Sequence, residues 1–380
     1  MKVLIIRSGD FPMGSAPAFR TLNIAKLLSS CGNDVLVLAQ RINIAKEDQY
    51  KFGKDFVSVK CFHPSNDGQN YFELLQSILV KEQPDVALLP SSIYGYKPSV
   101  RLLHKMSIPI VLDSVEWYNA SNWRLGYADP RYYKFCFLWR TAFPKADGII
   151  AISRLIQAYY SKKSNNVVRI PTITDCADTP FRTSVDSDKI RFVFAGQLDK
   201  GKDNIDTFIE ALAIVDPTGE RTQLDIYGPN LEDVRKHLGK KSGLLTDHIN
   251  IIIHGRVPQS QAQDACLHSD FSVFFRLNRR SANAGFPTKL GECMTFGTPA
   301  ICNDTGDISL VVQDRKNGYL LKTKSVEEIT ETLRHILSLS VEQRVQMRTE
   351  ARKSAETFFD YHNYREQMQE VLAAAVRGEK

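Results

Sequence analysis

Short apolar runs alternate with helix-forming stretches along this chain, and the scheme is played out twice. In the first half, Val3–Ile6, Asp34–Ala39, Val57–Cys61, Val86–Leu89, Ile108–Leu112 and Gly148–Ile152 read as strands. Helical patterns fall between several of them, at Ala18–Ser30, Tyr71–Glu82 and Ser99–Lys105. In the second half, strands at Ile190–Ala195, Gln223–Tyr227, Ile249–His254, Phe271–Phe275 and Thr298–Cys302 are separated by helices at Ile205–Ile214, Leu231–Leu238 and Gln259–Leu267. Alternation of this kind predicts parallel, doubly wound α/β sheets. The polar span Thr172–Asp188, with Pro180 inside it, reads as a linker, so the chain divides into residues 1–172, a linker at 173–188 and a second domain at 189–355. A helical tail follows at Val341–Val371. At 380 residues and 43% hydrophobic, the chain has material for two cores.

In open α/β sheets ligands bind beyond the carboxyl ends of the strands, so chemistry is sought there. The densest candidate is Ala282–Glu292. Gly285, Phe286 and Pro287 form a break, Thr288 is a candidate N-cap, and a short helix begins with Lys289 in its first turn and Glu292 one turn on. The first turn of a helix presents N–H groups and the positive dipole end to an anion. Lys289 adds a formal charge, and Glu292 can accept from vicinal hydroxyls such as those of a ribose. In the first half, Asp113 and Glu116 follow a strand, and either could orient or deprotonate a hydroxyl.

Other classes lack their signatures. Gly9–Gly14 does not follow the dinucleotide-binding glycine pattern, and no Gly-Lys-Ser/Thr phosphate loop occurs. The eight histidines show no metal-ligand spacing, and the one Asp-x-Asp, Asp186–Asp188, lies in the linker, so no metal is expected. Seven scattered cysteines with no Cys-x-x-Cys suggest a reducing, cytoplasmic setting. No run of about 18 apolar residues occurs, and Lys2–Ile6 is too short for a secretory signal.

Charge is uneven. Residues 1–175 hold 22 Lys+Arg against 14 Asp+Glu, and residues 176–380 hold 27 against 29. Lys97, Arg101, Lys105, Arg124, Arg131, Lys134, Arg140 and Lys145 are interleaved with tryptophans, tyrosines and phenylalanines between Trp117 and Trp139. That composition suits the headgroup region of an anionic bilayer or an ordinary solvated helix face. Nucleic acid is not expected, because the excess is modest and no nucleic-acid module is present.

The segment Gly285-Phe286-Pro287-Thr288-Lys289-Leu290-Gly291-Glu292, followed by Gly297-Thr298-Pro299-Ala300-Ile301, resembles the donor-binding signature of the family 4 (GT4) retaining glycosyltransferases, which have the GT-B fold. Further matches lie at Gly14–Arg20, Ala146–Ser153, Phe194–Leu198 with Lys202, Ile226–Gly228 and His254–Val257, in the family's order. The resemblance implies two Rossmann-like domains facing a central cleft, with helix 356–380 packed back on the first. It implies a nucleotide-sugar donor (UDP or GDP) in the second domain and a glycan or lipid-linked glycan acceptor in the first. No metal or other cofactor is implied, and the setting is cytoplasmic, with peripheral membrane contact suggested by the basic, aromatic stretch.

Residue by residue, Lys202 matches the catalytic lysine, with Lys200 as rival, and Glu116 or Asp113 would serve the acceptor hydroxyl. Donor contacts are implied for Gly14, Ser15, Gly196, Gln197, Gly228, Arg256, Ala284, Gly285, Phe286, Lys289 and Glu292, and acceptor contacts for Arg20 and Trp117. Two departures stand out. Gln197 replaces the family's arginine, and Ala284 replaces the first of two paired glutamates; Arg276, Asn278, Arg279, Arg280 or Asn283 could supply substitutes. A nucleotide-sugar epimerase on the same scaffold and a non-catalytic binding protein are the alternatives.

Overall fold

A computed structural model describes residues 1–12, 15–42, 49–52, 57–62, 70–92, 96–185, 189–198, 203–247 and 250–379. They divide into two α/β units. The first comprises Met1–Asp178, Asn283–Phe286 and Asp360–Lys380, and the second Thr179–Ala282 and Pro287–Phe359.

The first unit holds strands β1 (Lys2–Phe11), β2 (Asp34–Ile42), β3 (Gln49–Phe52), β4 (Val57–Phe62), β5 (Val86–Pro90), β6 (Ile110–Ser114), β7 (Gly148–Ala151) and β8 (Val167–Arg169). They form one sheet in the order β3-β4-β2-β1-β5-β6-β7-β8. All pairs are parallel except β3 with β4. Helices α1 (Ala16–Ser30), α2 (Tyr71–Glu82), α3 (Tyr96–Lys105), α4 (Pro130–Thr141) and α5 (Arg154–Tyr160) connect them. Ser15 and Ser153 start α1 and α5 by accepting from Ala18 N and Ile156 N, satisfying first-turn donors. Strands β6 and β7 are buried at every residue, as parallel strands covered on both faces must be.

The second unit holds β9 (Ile190–Ala195), β10 (Asp203–Asn204), β11 (Thr222–Tyr227), β12 (Ile251–Gly255), β13 (Phe271–Arg276), β14 (Ala300–Asn303) and β15 (Gly318–Leu321). The parallel order is β12-β11-β9-β13-β14-β15, and β10 pairs antiparallel with β13. Its helices are α6 (Asp206–Val215), α7 (Leu231–Leu238), α8 (Leu244–Asp247), α9 (Gln259–His268), α10 (Arg280–Ala284), α11 (Thr288–Thr295), α12 (Val326–Ser338) and α13 (Val341–Phe358). The strand order reverses at β1/β5 in one sheet and at β9/β13 in the other; each is a topological switch point where a crevice opens.

The expected helical tail is two helices. After α13, Asp360 accepts from His362 N and starts a tight turn at Tyr361–Tyr364, and α14 (Arg365–Arg377) follows. That break returns the chain to the first unit, where Met368, Val371 and Leu372 enter its core beside Val3, Val111 and Ile150. Gly148 permits the approach, since a Cβ there would lie 2.8 Å from Val371 Cγ2. The expected linker is also shorter than its polarity suggested. Thr172, Thr174 and Asp175 are buried in the first unit, where Asp175 pairs with Lys26 at 2.5 Å and Thr174 O accepts from Tyr361 N.

Helix α13 buries three arginines alongside Met347, Ala351 and Ala355. Arg344 pairs with Asp270 at 3.2 Å. Arg348 donates to the carbonyls of Leu267 and Ser269 at the end of α9 and to Phe296 O at the end of α11. Arg352 reaches Thr295 O. Guanidinium groups thus satisfy helix-end carbonyls that would otherwise be orphaned. Burial pulls the Arg348 group down to about 10.

Candidate functional site

The site is built where β9, β11 and β12 end in the second unit. Gly196 follows β9 with φ +154°, and Gly228 follows β11 with φ +113°. A Cβ on Gly228 would fall 2.1 Å from Gly196 O, and one on Gly196 would fall 2.6 Å from Lys289 Nζ. At Gly228 the clash is with backbone and leaves room only for glycine, whereas at Gly196 the neighbour is a side-chain end and it is the positive φ that favours glycine. The Lys289 amine therefore lies flat against the backbone at the β9/β13 switch point. Its Nζ sits 4.4 Å from the Phe194 ring centroid and 5.8 Å from that of Phe274. The rings carry a cation on their faces, holding it in place while one side meets Gly196.

Lys289 lies in the first turn of α11. Thr288 does not cap that helix, as its sequence context suggested; it is the first helical residue, Pro287 occupies the cap position and no side chain caps the end. Thr288 is displaced because proline, with φ −71° and ψ 111°, already supplies the extended residue a cap requires. Leu290 N of that turn donates to Pro287 O, and with no side-chain cap the positive end of the helix dipole still faces outward, which favours an anionic ligand.

Glu292, one turn on, is held by Gln263 and Gln259 of α9. Burial raises its carboxyl to about 7, against the lowering effect of those amides and of Lys289. Part of its surface remains open, so a carboxylate oriented by two amides can still accept from an incoming hydroxyl.

Beside this centre lies a cavity of about 520 Å³ lined by Gln197, Leu198, Gly228, Pro229, Asn230, Asp233, Lys236, His237 and Arg256. Its volume suits a small organic ligand. Asn230 and Asp233 are spent on the capping box of α7. His237 Nε2 meets Asp206 Oδ1 at 2.8 Å, and burial raises the Asp206 carboxyl against His237, Lys324 and Lys241. Gln197 and Arg256 are exposed on the wall. A larger cavity of about 630 Å³ lies beside α9 and residues 182–185 but contains none of the predicted residues, so size alone does not locate the site.

The donor segment is divided. Residues 280–284 form α10 rather than a loop, and Asn283–Phe286 group with the first unit, where Ala284 O accepts from Ser153 Oγ at 2.6 Å. Gly285 and Phe286 are buried there. Arg276 is not an available phosphate contact; it is buried and Nη1 donates to Ala282 O at 3.0 Å. Arg279 and Arg280 are exposed.

In the first unit two expectations change. Asp113 is bound bidentately by Arg20, through Nε at 2.8 Å and Nη2 at 2.7 Å. Arg20 also donates to Pro171 O at 2.7 Å and Ile170 O at 3.1 Å. Both side chains are buried, so Arg20 is a clamp between α1, β6 and the chain after β8 rather than an acceptor contact, and Asp113 is not a free base. Glu116 is partly exposed and hydrogen-bonds Tyr118, whose hydroxyl it helps to push up after the larger effect of burial. Trp117 stacks on Trp139 at 4.9 Å and packs on Tyr159 at 4.7 Å.

Ser15 caps α1 and accepts from buried Arg7 at 3.3 Å. The one sequence signal for Arg7 is a charge next to the apolar run Val3–Ile6, and the structure places it inside β1. Gly14, Lys200 and Lys202 lie outside the described residues. Among the described residues no three His, Cys, Asp or Glu side chains converge to hold a metal ion, and no helix is long and apolar enough to cross a membrane.

Residues 177–354 match the family model described as glycosyl transferases group 1. A stretch of 82 residues is 37% identical to the human GDP-Man:Man(3)GlcNAc(2)-PP-Dol alpha-1,2-mannosyltransferase, covering 20% of this chain and 16% of that protein. Among solved structures, Anabaena HepE in complex with UDP and glucose superposes with a TM-score of 0.70 at 15% identity, over 98% of this chain and 99% of that one. WaaG, a glycosyltransferase involved in lipopolysaccharide biosynthesis, gives 0.68 at 16% identity over 97% and 99%. The fold is the two-domain α/β arrangement of the GT-B glycosyltransferases, and the sequence matches support glycosyl transfer.

Proposed function

We propose that this chain is a retaining glycosyltransferase of the GT4 type. It would move a sugar from a nucleoside-diphosphate sugar, with UDP or GDP as the nucleotide, to a glycan or lipid-linked glycan. The observation that carries the reading is Lys289: an ammonium group wedged between aromatic faces and Gly196, at a switch point, in the first turn of a helix with no side-chain cap.

Breaking the bond between the sugar's anomeric carbon and the diphosphate leaves negative charge on the departing oxygens. Lys289 and the α11 amides stabilise that charge, with Lys202 and Arg256 as further cations, so the reaction requires no metal. Glu292 anchors the ribose by accepting from its hydroxyls, and Gln197 lines the nucleotide cavity without supplying charge. Glu116, not Asp113, is the carboxylate proposed to orient the acceptor hydroxyl, and Ser15 and Trp117 remain proposed ligand contacts. HepE is described with UDP and glucose bound, and WaaG with lipopolysaccharide biosynthesis, which supports a surface-glycan or glycolipid product.

The protein is further proposed to be cytoplasmic and to touch an anionic membrane. Tyr127, Tyr133 and Phe137 are 75%, 57% and 55% exposed, and Arg124, Lys134 and Arg140 are exposed among them. Apolar rings with interspersed cations fit a headgroup region.

The test is to incubate the protein with UDP- and GDP-sugars, with and without glycan acceptors, and analyse products by NMR. Acceptor-dependent release of nucleoside diphosphate with retained anomeric configuration supports the reading. Conversion of the donor to an isomer without acceptor, or inversion, contradicts it.

A further inference from the structure

Cys266 on α9 and Cys293 on α11 face each other with their Sγ atoms 3.2 Å apart. Both are buried, at 5% and 3% exposure, in a small apolar cluster with Val193, Tyr227 and Phe296. They belong to no group of three or more metal-ligating side chains among the described residues. A disulfide requires about 2.05 Å between sulfurs, so closure needs an approach of roughly 1 Å. The same pair of helices carries the contacts of Gln259 and Gln263 to Glu292, and Glu292 is the chain neighbour of Cys293.

We propose that Cys266 and Cys293 form an oxidative modification site, in which a small-molecule disulfide converts the facing thiols into a cystine that ties α9 to α11 beside Glu292. One cysteine thiolate attacks a sulfur of the small disulfide, forming a mixed disulfide and releasing one small thiolate. The second cysteine thiolate attacks the protein sulfur of that mixed disulfide, the bond to the small molecule breaks, and the second small thiolate leaves. Two cysteine thiols give up two protons and two electrons, and one small disulfide becomes two thiols. The reaction is slow: hydrogen bonding to Cys293 and burial hold the Cys266 thiol well above its ordinary value, so attacking thiolate is scarce.

Formation of the bond is independent of the proposed activity. Its consequence rests on that reading, because α11 also carries Lys289 and Glu292 and would have to move with Cys293.

The full chain is incubated with oxidised glutathione, and in parallel with diamide, then alkylated and digested with trypsin. The expected product is peptide 257–276 linked to peptide 290–315, with the bond assigned by fragmentation to Cys293 rather than Cys302. It should vanish on dithiothreitol treatment and be absent from both Cys293→Ser and Cys266→Ala. Closing the loop should raise the melting temperature by about 5 °C in the wild type alone. The Kd for whichever nucleoside diphosphate the reduced protein binds should shift at least threefold.

Full alkylation of both cysteines after either oxidant, or linkage through Cys302, overturns the proposal. A Cys266–Cys293 cross-link with unchanged nucleotide affinity overturns the coupling to α11 and leaves the modification site standing. Absence of nucleotide binding by the reduced protein counts against the proposed function, not against the dithiol.

Discussion

Gly228→Ala is the sharpest perturbation of the site. The new Cβ would sit 2.1 Å from Gly196 O, whereas ordinary contact begins at 3.4 Å, so backbone must give way by about 1.3 Å. The residue is also held at φ +113°, a conformation side-chain-bearing residues avoid. Left-handed strain costs about 1–2 kcal/mol and forced overpacking about 1–3 kcal/mol, giving roughly 2–5 kcal/mol in total. Gly239→Ala is the control, because Gly239 shares the strain at φ +58° but has nothing within 4 Å of its Cβ position. It should lose only the strain contribution. Urea unfolding of both variants separates contact from conformation. Because Gly196 backs onto Lys289, displacement should also weaken nucleoside-diphosphate binding at least tenfold in Gly228→Ala. Equal destabilisation by the two substitutions, with nucleotide affinity intact, would refute the packing argument.

Other consequences are as specific. The Glu292 carboxyl is raised in the folded chain from 4.5 to about 7, so the folded state holds its proton more tightly than the unfolded one. That preference favours folding below pH 4.5 and is lost as pH rises through about 7, with an upper bound of about 3 kcal/mol. Glu292→Gln should therefore be more stable than wild type at pH 8 and similar at pH 5 in urea titrations; parallel curves would contradict the shift. Arg348→Met strips donors from Leu267 O, Ser269 O and Phe296 O and should cost about 2–5 kcal/mol, read as a lowered urea midpoint; a loss under about 0.5 kcal/mol would remove its role. Replacing Arg124, Lys134 and Arg140 with Glu should sharply reduce binding to liposomes rich in anionic lipid at low salt, and undiminished binding would end the membrane reading.

What could be read from the sequence was what local pattern determines. Strands β6, β7, β13 and β14 are mostly apolar and buried at every position because both faces are covered, and the Lys289–Glu292 turn announces itself by proline, glycine and charge spacing. What could not be read depends on partners distant in the chain. Arg20 and Asp113 are 93 residues apart, and each alone resembles a loop or helix charge with a chemical task. Arg348 and Leu267 are 81 apart, and an arginine stripe on a weakly apolar helix looks like a solvated face until the carbonyls it meets are known. The short strands β8 and β15, three and four residues long, carry too little pattern to stand out. The turn after Phe358 leaves no clear sequence signal, because Asp360, its cap, sits among aromatics that a continuing helix could also carry.

The proposed function requires the Gly196–Lys289 centre to seat a nucleoside diphosphate. Calorimetric titration of the wild type and Lys289→Met with UDP, GDP, ADP and TDP tests this. UDP or GDP should bind in the micromolar range, and Lys289→Met should weaken that binding about 10- to 100-fold, since a hydrogen bond from a charged donor contributes about 1.5–3 kcal/mol. Binding of none of the four, or equal binding by both proteins, would contradict it.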